Sequence, residues 1–472
     1  MHISTKYCLR LFIKKLLVKN SVCFFTFHPC NVRQRFSLIN IGNYCTSASS
    51  VPFTMKLKSA EFQSIITEEV KYIQDLFHKN GHEIRIAGGA VRDLLIGKVP
   101  SDIDFATTAT PTKMKEIFKE NGIRILNLKG ENHGTVTARI NETNFEITTL
   151  RIDRVTDGRH AVVEFTEDWR QDAGRRDLTI NAMFLDLDGT VYDYFNGLED
   201  LNKRRIAFVG DPNARMREDY LRILRYFRFY GRISKDIDYH DEATISAIRD
   251  NAPGLANISG ERIQMELFKI VTGNYGPELL KKMFSLDIGQ YIGFPSTTNI
   301  KELDKVSEQL KKNNLNVDAM TLLSTQLETA EDVERFALRI KPSVFHRELA
   351  YFIVKHRSTA IGESLRFYQK LVTFSKKVKL TKNIVEEFLK YIGEVEILKE
   401  MVVWQLPPFP LSGAEIVQAG TLDPIKVGYI KQKLTEIWID SGYRLTKDEL
   451  KDLILEVSAT YDPPAKKKKE MK

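Results

Sequence analysis

The run GGAVRDLLIGKVPSDID, from Gly88 to Asp104, constrains this chain more than any other segment. Paired glycines let a backbone approach a phosphate closely, because no Cβ intervenes and either sign of φ is accessible. Arg92, three residues after Gly89, can fork onto phosphate oxygens. Asp102 and Asp104, separated by Ile103, fall on one face of a strand, so both carboxylates can point at one spot and hold divalent metal. Either element alone is common: a Gly-Gly is often only a bend, and Asp-x-Asp is frequent in turns. Their order and spacing predict a strand over 84–87, a glycine turn, a short helix over 91–96 with its N-terminus toward the phosphates, and a second strand over 102–105 carrying the metal ligands. Together they describe a site for moving a nucleotide.

The 472 residues suffice for about three domains, with the apolar content of an ordinary soluble protein. The first sixty residues stand apart. They contain no acid before Glu61, whereas Lys6, Arg10, Lys14, Lys15, Lys19, Arg33 and Arg35 are basic, and Leu9, Phe12, Ile13, Leu16 and Leu17 recur at helical spacing opposite those charges. This acid-poor amphipathic pattern predicts a mitochondrial transit peptide over 1–54 and a matrix location; a basic arm without that role is the other reading. Lysines every few residues exclude a membrane span there. All four cysteines (Cys8, Cys23, Cys30, Cys45) lie in this leader, so disulfides, zinc ribbons and thiol catalysis are excluded from the mature chain. Met55, just after it, offers a second start for a cytoplasmic and nuclear form.

The net charge of +8 misleads if taken for the whole. Residues 1–54 hold seven bases and no acids, which leaves 63 bases against 62 acids in the remainder, and a lysine-rich end over 461–472 takes up the rest of the excess. That end suits a solvated tail, with nuclear targeting or RNA affinity as the alternative. Any argument for nucleic acid therefore rests on local clusters.

Residues 134–140 and 145–150 alternate as the two strands of a hairpin, with Glu146 on the face of Thr148 and Leu150. Glu146 is the candidate third carboxylate beside the aspartates; an exposed strand glutamate is the competing reading. The charged stretch 151–171 has no clear period and predicts a mobile loop beside the site. In RRDLTINAM, Arg175 and Arg176 precede Asp177 and Asn181, four apart on one helical face. An arginine pair also suits a solvated face, but beside a phosphate cradle it serves bidentate contact with phosphate and sugar.

In EDYLRILRYFRFYGR, Glu218, Asp219, Arg222, Arg225, Arg228 and Arg232 share one half of a helical wheel, opposite Tyr220, Ile223, Leu224 and Phe227. Four arginines against two acids predict unpaired positive charge and a phosphate-rich partner. Asp219 and Arg222, three apart, suggest a base reader, since a carboxylate accepts from an exocyclic amine while a guanidinium donates to the adjacent ring nitrogen. Cytosine and adenine offer that amine, whereas guanine and uracil place a carbonyl there.

These motifs resemble those of the class II CCA-adding tRNA nucleotidyltransferases and their bacterial poly(A) polymerase relatives, in the polymerase-β nucleotidyltransferase superfamily. The resemblance rests on GGAVRDLLIG with Asp102 and Asp104, RRDLTINAM, VYDYFNGLEDL, EDYLRILRYFRF and ISGERIQMEL, in order over residues 60 to 270. It implies an α+β fold: a polymerase-β-like head with a mixed, largely antiparallel sheet and helices over 55–200, followed by an all-α neck (201–278), body (279–370) and tail (371–460) that holds tRNA. It implies Gly88, Gly89, Arg92, Arg176, Asp219, Arg222, Arg225 and Arg228 as nucleotide-binding residues, and Asp102 and Asp104 as ligands of two Mg2+ ions. Glu261, opening a helix, is taken as structural. The activity implied is addition of CCA to the 3′ end of tRNA from CTP and ATP, by a monomer or homodimer with no membrane partner. A poly(A) polymerase, or an A-adding or CC-adding enzyme, shares the same catalytic residues, and a non-catalytic RNA-binding scaffold is the reading from another class. Some bacterial relatives append a metal-dependent phosphohydrolase domain, but His346 and His356 lack the neighbouring aspartates such a site needs, so no such activity is expected.

Overall fold

The computed structural model of the chain describes residues 51–126, 130–156, 161–419 and 424–461. The leader and the lysine-rich tail lie outside them, apart from Tyr461 and the leader's last four residues. β1 (Phe53–Lys56) takes in the last two residues of the leader drawn over 1–54.

The sheet has eight strands, and those at its centre are almost wholly buried. Its strands are β1, β2 (Ile84–Ala87), β3 (Asp104–Thr107), β4 (Arg124–Ile125), β5 (Thr135–Ile140), β6 (Thr143–Thr149), β9 (Met183–Leu185) and β10 (Thr190–Asp193), while β7 (Arg151–Thr156) and β8 (Ala161–Phe165) pair separately. The order is β1-β10-β9-β2-β3-β6-β5-β4, antiparallel throughout except for parallel β3 and β6. Successive side chains on a strand point to opposite faces. Ile84, Ile86, Phe105 and Ile147 therefore face one side, where α1 (Glu68–Lys79) and, after α2 (Gly89–Leu95), α3 (Pro111–Glu120) cover them with Phe77 and Phe118 in edge contact. Asp104, Glu146 and Thr148 are left on the opposite face, at the edge of a small apolar cluster of Ala87, Ala106, Trp169 and Phe184.

The stretch 151–171 is not the irregular loop its sequence suggested. Residues 151–156 and 161–165 form the β7–β8 hairpin, and α4 (Trp169–Arg175) follows, capped by the Asp168 side chain. A two-stranded ribbon buries little, so it carries little hydrophobic alternation to detect.

The arginine-rich run is two helices, α5 (Pro212–Glu218) and α6 (Leu221–Ile233), rather than one. Asp219 is extended (φ −155°, ψ 105°), and its carboxylate accepts from the Leu221 N–H at 3.1 Å, a local bond that competes with helix continuation. Tyr220 lies over Gly254, where any Cβ would come within 2.2 Å of its ring, so that glycine makes room for the bend. The rest is helical. One core runs from Phe62 to Met401, through α7 (Gly260–Val271) and the helices beyond, and a separate cluster of Leu411, Ile430, Leu434, Trp438 and Ile454 closes the C-terminal end. The buried residues of these two clusters divide between Met401 and Leu411.

On the buried side of α6, Tyr226 bonds His240 Nδ1 at 2.9 Å and the Tyr230 ring stacks on the same imidazole at 4.0 Å. The buried Nε2 has no partner among the described residues. Burial, helped by Lys282 and opposed by Asp238, pushes the His240 ring down to about 4. The folded value lies below the ordinary 6.5, so the neutral ring's contribution is full above 6.5 and is lost as pH falls from 6.5 toward 4. Thermal melts across that window should show a steeper loss of Tm for the native protein than for His240→Phe. Parallel curves would refute the assignment.

Candidate active site

Gly88 leaves β2 with φ +66° and ψ −117°, a region that side-chain-bearing residues rarely enter. A Cβ there would sit 3.0 Å from Arg176 Nη1, so the turn and the arginine need the glycine together. Gly89 meets nothing closer than 3.7 Å and leaves open backbone at the head of α2.

The turn opens into a cleft of about 1190 Å³ between the sheet and α5, α6 and α7. Gly88, Gly89, Arg92, Asp102, Asp104, Glu146, Arg176, Asp219, Arg222, Arg225 and Arg228 all line it. Every site residue expected from sequence therefore meets in one place. Asp104 and Glu146 are register partners across parallel β3 and β6, so their side chains leave the sheet side by side. Desolvation by the cleft walls, together with the charges of Glu146 and Asp102, pushes the Asp104 carboxyl above its usual range, and Arg176 offsets part of this.

Asp102 departs from expectation. The strand begins only at Asp104, and Asp102 precedes it with Oδ2 accepting from Ser101 Oγ at 2.9 Å. Among the described residues no three histidine, cysteine or carboxylate side chains converge closely enough to hold an ion as they stand. The donor chemistry still suits a hard divalent cation: three carboxylates line one region of the cleft, and the charges of Glu146 and Asp102 both act on Asp104.

The arginines are not left unpaired by a shortage of acids on their own helix; their partners come from other elements. Arg92 is 3% exposed, donates Nε and Nη2 to Asp93 at 3.0 and 2.9 Å and Nη1 to Asn181 Oδ1 at 2.5 Å, and rests on the Phe229 ring. Those bonds fix its guanidinium beside the glycine turn, and Arg92 still lines the cleft. Arg176 bonds Asp172, lies over Phe184 and reaches the Asn181 carbonyl. Arg225 bonds Asp177 at 2.7 Å, Arg228 bonds Glu266 at 2.9 Å, and Arg232 bonds Asp93 at 2.6 Å. Asp177 and Asn181 do touch at 3.3 Å, but across an extended segment and a single 3-10 turn, not along an α-helix.

Asp172 is 1% exposed and accepts from both Arg175 and Arg176. Burial acts to raise its carboxyl, and the two arginines more than offset this, leaving it below the usual range. Asp219 and Arg222 line the same cleft without pairing in the way their spacing suggested. Arg222 bonds Glu218 at 2.6 Å, and Asp219 bonds Arg262 of α7 at 2.6 Å.

Sequence reasoning missed Arg262, His133, Arg151 and Asp153, which also line the cleft, and the buried acids Asp93, Asp172 and Glu266. An arginine or acid at a helical or strand position reads as surface until tertiary contacts are known. In the helical half, His346 Nε2 lies 3.3 Å from Asp318, a pairing across sequence that the reading of isolated histidines did not include.

Two family models match the chain: the poly A polymerase head domain over residues 84–207, and the probable RNA and SrmB-binding site of polymerase A over 241–300. The proteins of Homo sapiens and Mus musculus named CCA tRNA nucleotidyltransferase 1, mitochondrial, are each 52% identical over 403 residues, spanning 84% of this chain and 92% of the relative. The Danio rerio protein of that name is 47% identical over 402 residues, 84% of this chain and 93% of its own. Among solved structures, the Bacillus stearothermophilus CCA-adding enzyme in complex with CTP matches with a TM-score of 0.67 at 24% identity, covering 85% of this chain and 99% of that one. The Thermotoga maritima CCA-adding enzyme complexed with tRNA_CCA matches with a TM-score of 0.62 at 20% identity, covering 85% and 98%. At those identities the structural likeness speaks to the fold.

Removing one partner of a buried ion pair strands the other. Asp172→Asn should therefore destabilise the protein by about 3 kcal/mol. Urea unfolding followed by tryptophan fluorescence tests this, Trp169 being at the start of the same helix. A midpoint unchanged from the native one would contradict it.

Proposed function

The chain belongs to the CCA tRNA nucleotidyltransferase family, and from that premise we propose that its cleft takes CTP and ATP in turn and builds the 3′-terminal CCA of tRNA without a nucleic-acid template. One observation carries the placement of the chemistry: Asp104 and Glu146 stand as register partners on the open face of the sheet, within a cleft otherwise walled by arginine. A non-catalytic scaffold has no use for adjacent carboxylates beside a glycine turn, with the Asp104 carboxyl pushed above its usual range by burial and by the charges of Glu146 and Asp102.

The reaction is attack of the acceptor's terminal 3′ oxygen on the α-phosphorus, with pyrophosphate leaving. The chain contributes position and electrostatics and no covalent nucleophile. Backbone at Gly88 and Gly89 accommodates the triphosphate. Arg176, Arg225 and Arg228 are already oriented by Asp172, Asp177 and Glu266, so phosphate oxygens meet guanidinium groups that need little reorganisation. Arg92 keeps that wall in place from behind. Asp102 and Asp104, with Glu146 as a third ligand, would hold Mg2+, two ions in the full site, which when bound polarise the attacking hydroxyl and the phosphate. Asp219 and Arg222 read the base: the carboxylate accepts the exocyclic amine of cytosine or adenine and the guanidinium donates to the neighbouring ring nitrogen.

The helices after the neck supply the surface for the body of the tRNA, and the protein acts as a monomer or homodimer. Among the described residues no helix is long and apolar enough to cross a membrane. The acid-poor leader directs the chain to mitochondria, in keeping with the names of its relatives. Initiation at Met55 would supply cytoplasm and nucleus, and would retain the pairing of Met55 with Val191 and of Lys56 with Thr190.

On a tRNA transcript lacking its tail, with CTP and ATP, the product should grow by three nucleotides and stop. Growth by one or two, or an indefinite run of A, would favour the partial or poly(A) enzymes. Asp104→Ala should lower incorporation by on the order of 10³-fold. Asp219→Ala should instead damage choice, lowering the preference for CTP over UTP by about 10- to 100-fold. Competition between labelled CTP and UTP reads this directly, and an unaltered preference would remove base reading from Asp219.

A further inference from the structure

Asp219 and Arg222 are three residues apart and carry opposite charges, so the simplest thing their side chains could do is pair with each other. They do not; the two residues meet only through the backbone, the Arg222 N–H donating to the Asp219 carbonyl at 3.0 Å. Asp219 Oδ1 takes the Leu221 N–H at 3.1 Å and Oδ2 takes Arg262 Nη2 at 2.6 Å. Arg222 gives Nη1 to Glu218 at 2.6 Å and to the Arg215 carbonyl at 3.1 Å, and Nη2 to the Arg175 carbonyl at 3.0 Å. Each member of the pair is held by a third party on its own side. Both Asp219 and Arg262 line the cleft and remain partly open, at 21% and 29% side-chain exposure.

A carboxylate on a short side chain reorients about two torsions, and a self-paired Asp219–Arg222 couple would offer an incoming base two groups already satisfied by each other. An oxygen that accepts one hydrogen bond keeps a second lone pair. The Arg262 bond therefore fixes the direction of Asp219 without exhausting its capacity to accept. α7 is anchored for this task by its next turn, where Glu266 bonds Arg228.

We propose that Arg262 is a specificity-determining positioning residue: it holds the Asp219 carboxylate away from Arg222 and aimed at the exocyclic amine of the base. The inference rests on the base-reading role of Asp219 proposed above and adds to it the group that makes that role possible. Loss of Arg262 frees Asp219 to swing onto Arg222. The cleft would then retain its phosphate-binding arginines and lose its preference for an amine over a carbonyl.

The test is single-nucleotide addition to a tRNA transcript lacking CCA, with kcat and KM measured separately for CTP and UTP. The proteins compared are the native enzyme, Arg262→Met, Arg262→Lys and Asp219→Ala, with melting temperature recorded for each. Arg262→Met should lower the CTP-to-UTP ratio of kcat/KM by about tenfold or more, through a selective loss on CTP. Arg262→Lys, which keeps a charged donor, should recover most of the ratio even if Arg262→Met proves too unstable to assay. Equal losses on CTP and UTP would overturn the proposal, since they would make Arg262 a phosphate contact or a structural brace. A changed ratio in Asp219→Ala with a native ratio in both Arg262 variants would overturn the role of Arg262 alone. A native ratio in Asp219→Ala would overturn base reading and the inference with it.

Discussion

The cleft depends on buried carboxylates that hold its arginines. A guanidinium withdrawn from water needs an anion nearby, and Asp93, Asp172, Asp177 and Glu266 supply one to Arg92, Arg176, Arg225 and Arg228 at 2.7 to 3.0 Å. Such pairs yield modest net stability, because desolvation offsets most of their attraction. Their value is directional. Planar carboxylates set planar guanidinium groups at fixed angles, and the aromatic rings of Phe184 and Phe229 support the flat faces. A negatively charged ligand then meets an array whose conformational entropy has already been surrendered during folding.

The sheet and the arginine array depend on each other through two links. Gly88 gives the backbone its left-handed turn and leaves the space that Arg176 occupies. Asp93, the residue after Arg92, accepts from Arg92 on the same helix and from Arg232 on α6, so one carboxylate ties α2 to α6. The placement of the glycine turn relative to Asp219 and Arg222 is thereby set by ion pairs across elements far apart in sequence.

Much of this was legible in the chain because the chemistry is local. The glycine turn, the strand before it and the helix after it follow from residues 84–96, and Asp104, Glu146 and the arginines at 222, 225 and 228 follow from periodicity. What escaped detection arises from contacts between segments. The break at Asp219 depends on a side-chain cap and on the space above Gly254. The counter-charges of the arginines sit on α2, α4 and α7 and beside β9, where each acid looks like solvated surface when read along its own segment. The β7–β8 hairpin pairs only with itself and joins no larger sheet, and Asp102 lies outside its strand because pairing with β6 starts at Asp104 and with β2 at Phe105.

The one parallel pairing in an otherwise antiparallel sheet has a kinetic meaning. Parallel neighbours cannot be joined by a tight turn; the chain must leave β3, cross over through α3, β4 and β5, and return before β6 can lie beside it. The two acidic side chains at the heart of the site therefore become neighbours only after a long excursion has closed, a step whose loop entropy makes it slow compared with hairpin formation. During synthesis the ribosome must release this entire crossover before Asp104 and Glu146 can lie side by side, so chains ending within it lack that pair by topology.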